Sequence, residues 1–151
     1  MFNLIKPVTD SSKQLTPFIP VFLAIAVLLN GCAETKTAQC QKIFLITKKM
    51  ADESAKSRET KDPQQVLQVA DAFEKASEQL KKLELKDPQL AQYQQGLADI
   101  YQGNASTTRS FVKAIDNKDI PTAKLAQDEV KHIGKKEQEL VTATNQYCQQ
   151  N

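Results

Sequence analysis

From Cys40 to Cys148 the apolar residues recur at steps of three and four, the spacing that lines up one face of a helix. Four such stripes follow one another. The first, over about 38–59, carries Cys40, Ile43, Phe44, Ile46, Met50, Ala51 and Ala55. The second, over about 63–84, carries Val66, Val69, Ala70, Phe73, Ala76, Leu80 and Leu83. The third, over about 88–116, carries Leu90, Tyr93, Leu97, Ile100, Tyr101, Phe111 and Ile115. The fourth, over about 120–149, carries Ala123, Ala126, Val130, Ile133, Leu140, Val141, Thr144, Tyr147 and Cys148. Lys, Glu, Asp and Gln fill the opposite faces, the pattern of helices that cover a shared core. No stretch alternates with period two, so no strand is predicted.

Where the helices begin is written in a near-repeated phrase: Lys61-Asp62-Pro63, Lys86-Asp87-Pro88 and Lys118-Asp119-Ile120-Pro121. An aspartate at the N-cap accepts hydrogen bonds from the unpaired N–H groups of the first turn, and its charge suits the positive end of the helix dipole. A proline in that first turn loses no hydrogen bond. The links between the stripes are short, which forces consecutive helices antiparallel. The expectation is an all-α, up-down-up-down four-helix bundle over residues 40–151, with helices about 33–45 Å long at 1.5 Å per residue.

That topology sets the start of the first helix beside the end of the last. Cys40 and Cys148 both lie on apolar stripes at those two places. They are expected to form a disulfide closing almost the whole domain, which the chain-entropy model values at roughly 4–5 kcal/mol. The alternative is a pair of buried, unpaired cysteines acting as small apolar side chains.

Ahead of the bundle, Val21–Leu29 is an unbroken apolar run, followed by Asn30-Gly31-Cys32. Even extended back to Phe18 the run is short of the about 20 residues a membrane-spanning helix takes, and it then includes Pro20. A cleaved export segment fits it better. The segment resembles the lipobox of bacterial lipoprotein precursors, with Asn30 in place of the usual small or apolar residue. The resemblance covers the leader. It implies a signal peptide over 1–31, lipidation of Cys32, a polar tether over 32–39 and an anchored protein in the cell envelope facing the periplasm. Ala33, rather than Asp, after the cysteine leans towards the outer membrane. Lipidation of Cys32 also takes it out of a count of three cysteines, leaving Cys40 and Cys148 as an even pair in an oxidising compartment.

Composition narrows the function classes. After residue 31 the chain has 18 basic and 17 acidic residues, so no field steers a polyanion. Aromatics are 6% of the sequence and Trp is absent, so base-stacking surfaces are not expected and nucleic acid is not a predicted partner. His132 is the single histidine and stands among Lys131, Lys135 and Lys136. It could pair with Met50 as a haem ligand, as in periplasmic four-helix cytochromes. With Cys40 level with Cys148, however, the two are offset by about 9 Å along the bundle. No Cys-x-x-Cys-His motif is present either. No Glu-x-x-His pair for a di-metal site, phosphate loop, nucleophile elbow or zinc motif occurs. No catalytic residue, metal site or cofactor is therefore predicted, and the protein is not expected to be an enzyme.

Some polar residues do interrupt the stripes: Glu137 on the fourth, Asn104, Thr107 and Thr108 on the third, Thr47 and Ser54 on the first. Such a layer can line a small ligand site or simply fix helix register. Gly96 and Gly103, seven apart on one face, point to close helix packing. Asn104-Ala105-Ser106 matches a glycosylation pattern by chance. In size and architecture the expected bundle is similar to the lipid-anchored PsbQ-type subunits of photosystem II. The primary expectation is an accessory or scaffold protein acting through protein–protein contact, helped by glutamines at Gln64, Gln65, Gln68, Gln92, Gln94 and Gln95. The alternative is a binder or sensor of a small apolar or haem-like ligand in the bundle core.

Overall fold

The computed structural model describes residues 34–57 and 62–150; the leader, Cys32 and the first interhelical link lie outside the described residues. Four antiparallel helices form the bundle: α1 Lys36–Ser57, α2 Pro63–Lys81, α3 Pro88–Asp116 and α4 Ile120–Gln149. The three Asp-Pro phrases start helices as their chemistry requires. Asp62 accepts from the Gln64 N–H, Asp87 from those of Gln89 and Leu90, and Asp119 from that of Thr122, all at 2.9–3.1 Å. Among the described residues no strand occurs, and no helix is long and apolar enough to cross a membrane.

Two boundaries differ from the sequence reading. α1 begins at Lys36, inside the segment read as tether, and Gln39 in that segment is buried at 3% exposure. α2 stops at Lys81 instead of running to 84. The side-chain amide of Gln94 donates to the carbonyls of Leu80 and Leu83, satisfying groups that end a helix unpaired. Leu83 and Leu85 in the link then pack on the core. α3 ends in a Schellman arrangement: Asp119 N–H donates to the Ala114 carbonyl and Lys118 N–H to that of Ile115. Lys118 takes the left-handed position at φ 58°.

α3 is the centre of the fold. It packs extensively on α2 and α4, while α1 rests mainly on α2 and touches α4 sparsely. Leu80, Leu90, Leu97 and Tyr101 are fully buried, with Ile43 of α1 beside them. Ser77, also fully buried, donates to the Ala98 carbonyl at 2.7 Å and ties α2 to α3. At Gly96 a Cβ would stand 2.8 Å from Leu140 Cδ2, so the glycine does admit a close approach of α4. At Gly103 the nearest atom, Ile133 Cδ1, is at an ordinary 3.5 Å.

Candidate functional site

The predicted cysteine pair is joined. Cys40 and Cys148 are bonded with Cα atoms 5.9 Å apart, closing a sequence separation of 108. Around the bond, side chains from both chain ends knit the helix termini together. Gln39 Oε1 accepts from the N–H groups of Lys86 and Asp87 at 2.7 and 3.0 Å, while its amide donates to the Glu34 carbonyl. Tyr147 donates its hydroxyl to Asp87 Oδ2 at 2.9 Å and meets the Tyr93 ring edge-on. Lys36 Nζ sits 4.0 Å from the centre of the Tyr147 ring and donates to the Gln150 carbonyl. The Leu90 N–H, aided by the Tyr147 hydroxyl, holds the Asp87 carboxyl below its ordinary range; the same carboxylate holds the Tyr147 phenol up.

Below the disulfide, the seam between α1 and α4 is open. A hollow of about 330 Å³ lies against Cys40, Ile43, Leu97, Val141, Thr144 and Cys148. A second, of about 570 Å³, continues it past Ala51, Ser54, Gly134 and Glu137. Phe44, Thr47, Val141 and Asn145 line both, so the two form one trough. Its disulfide half is largely apolar. Its far half holds one half-buried carboxylate, Glu137.

Behind that carboxylate stand two buried polar groups of α3. The Asn104 amide donates to Glu137 Oε2 at a long 3.5 Å. The Tyr101 hydroxyl is buried and makes no well-formed hydrogen bond, although Glu137 is near enough to affect its titration. Burial drives the Tyr101 phenol far above its ordinary value, with the Glu137 charge adding to the effect. Burial likewise raises the Glu137 carboxyl, with Tyr101 and Asn104 acting in the opposite direction. Lys48 also lines the trough, but Asp52 holds it at 3.1 Å.

The polar interruptions noted in the sequence are thus partly assembled: Thr47, Ser54 and Glu137 share the trough, with Asn104 behind them. His132 is exposed, whereas Met50 is buried against Ile46, Ala72 and Ala76. Gln94 is not a free surface glutamine, since it caps α2; Gln64, Gln65, Gln68, Gln92 and Gln95 are exposed. Phe44, placed on a buried stripe by spacing, is 51% exposed, because α4 does not close over it. Sequence reading missed Gln39, Ser77 and the Tyr101 hydroxyl. Only the regular stripe positions of Ser77 and Tyr101 could have signalled burial. Cys32 lies outside the described residues. Among those residues, no group of three or more His, Cys, Asp or Glu is placed to hold a metal ion.

The chain matches no known protein family, and neither a curated protein nor a solved structure is detectably similar to it.

Proposed function

We propose that the protein is a lipid-anchored envelope protein, facing the periplasm, whose bundle acts by protein–protein contact as an accessory or scaffold. The observation that carries the contact role is the placement of its exposed large apolar residues. Among the described residues, three of the five exposed large apolar side chains, Ile115, Ile120 and Leu125, fall close together in sequence around the α3–α4 link, with exposures of 42%, 64% and 72%, while Phe44 and Leu45 stand on α1. Large apolar side chains left in water gain by burial against a partner. The described chain starts at Glu34, at the disulfide end of the bundle, whereas the corner lies at the opposite end. An anchor at Cys32 would leave this corner the most accessible part of the domain.

The anchor is tested by labelled-lipid incorporation and membrane fractionation of wild type and Cys32→Ala. Loss of both label and membrane association in the variant is the expected result; an unchanged, membrane-bound variant overturns the anchoring. The contact is tested with a photo-crosslinking residue at Leu125, compared with one at exposed Gln95. A discrete adduct at Leu125 that Ile120→Glu abolishes is expected. No adduct, or the same adduct from both positions, overturns the corner as the contact surface. The trough gives specific support to a second reading, a binder of a small ligand, developed next.

A further inference from the structure

The geometry points to a site for an apolar cation in the α1–α4 trough: an amine or quaternary ammonium on a hydrocarbon chain, its charge at Glu137 and its tail towards the disulfide. The reading is independent of the protein contact proposed for the α3–α4 corner.

Three observations combine. The first is charge. Among the described residues, no lysine, arginine or histidine reaches Glu137 within ion-pair distance, while Lys48, the cation in the trough, is taken by Asp52. A carboxylate half-removed from water and lacking a counter-ion is a position that a ligand cation improves. The second is the pair of buried α3 groups behind it. Tyr101 has an unmatched hydroxyl and Asn104 only a long bond to the carboxylate. Both are donors that can turn towards Glu137 once a cation fixes it in its charged form. They also leave the trough side of the carboxylate open to a ligand.

The third is shape. From Glu137 to Cys148 the trough runs about 16 Å at the helical rise per residue, room for an extended dodecyl chain. Its walls in that stretch are Phe44, Ile43, Leu97, Val141 and the disulfide. Phe44 lines both halves and is half exposed, so it can cover the chain where the two hollows meet. An anion would meet Glu137 with like charge. A neutral chain would leave the carboxylate as it is. Charge therefore selects the cation among ligands with equal tails.

The test is photoaffinity labelling of the full chain in its membrane with a diazirine-bearing dodecyltrimethylammonium, followed by peptide mapping. Label should concentrate on α1 and α4 peptides containing Phe44 and Val141. Unlabelled dodecyltrimethylammonium should compete for it, and dodecanoate and dodecanol should compete far less well. Glu137→Gln, which keeps shape and removes charge, should weaken labelling by more than about tenfold. Asn145→Trp, at an exposed position lining both hollows, should block the trough without disturbing the core. Circular dichroism of each variant establishes that the bundle is intact. Equal competition by dodecanoate or dodecanol, label spread over all exposed faces, or undiminished labelling in either folded variant overturns the proposal. Labelling that Ile120→Glu removes while Glu137→Gln does not would assign the probe to the α3–α4 corner and likewise overturn it.

Discussion

Replacing Cys40 and Cys148 together by serine tests how far the bundle depends on its covalent closure. The bond spans 108 residues of sequence. In the chain-entropy model a loop of that size restricts the unfolded state by roughly 4–5 kcal/mol. A domain of this kind is stable by about 5–15 kcal/mol, so the loss is a large share of the total. With a urea dependence of about 2 kcal/mol per molar, the unfolding midpoint should fall by roughly 2–2.5 M. The loss should also be uneven. α1 touches α4 sparsely, so the disulfide is its chief tie across that seam, whereas α2 and α3 share a buried serine bond and a continuous core. Urea titration of the chain from Cys32 onward, carrying Cys32→Ser in both forms, gives the total. Amide hydrogen exchange gives the distribution, with α1 expected to lose protection before α3. A midpoint within about 0.5 M of the parent, or equal loss of protection in α1 and α3, would refute the reasoning.

The Glu137 carboxyl binds its proton more tightly folded than unfolded, so its stabilising contribution is present below the ordinary value of 4.5 and lost as pH rises through the raised folded value. Urea titrations across that window should show a decline in stability for the parent that Glu137→Gln lacks; identical slopes would contradict it. Asp87 acts oppositely: its contribution is present above the ordinary value of 3.8 and is lost as pH falls through the lowered folded value, a loss that Asp87→Asn should diminish. Gly134 has open space where a Cβ would go, so Gly134→Ala should raise stability by about 1 kcal/mol; Gly96→Ala should not, because Leu140 must move. Lys118→Gly should gain roughly 0.5–1 kcal/mol, since glycine holds the left-handed position at φ 58° without the penalty a lysine carries. Thermal or urea unfolding distinguishes these variants.

The helix starts were legible because Asp-Pro is a local signal that acts within one turn: Asp62, Asp87 and Asp119 cap the helices that follow them. The disulfide was legible because antiparallel topology alone brings the first and last helix ends together. The end of α2 was not, since it depends on Gln94, more than ten residues away in sequence and indistinguishable there from its exposed neighbours. Phe44 shows the limit of periodicity. Spacing places a residue on a face, but only how closely α4 approaches α1 decides whether that face is covered. Glu137 and Asn104 could be read as stripe interruptions, and they do come together. That the Tyr101 hydroxyl lacks a partner depends on side-chain positions across α3 and α4, which no spacing rule specifies.

The sulfur bridge also determines how the molecule carries mechanical tension. A pull applied between the two ends of the chain passes from Cys148 straight to Cys40 and stretches a covalent link, leaving the helices between them slack. A pull between the first helix and the α3–α4 corner crosses the same bridge but must then run the length of α4, where hydrogen bonds give way before a covalent link does. The same domain is therefore stiff when tugged by its tails and yielding when tugged from its far corner, a difference that single-molecule stretching would display as two unlike force traces.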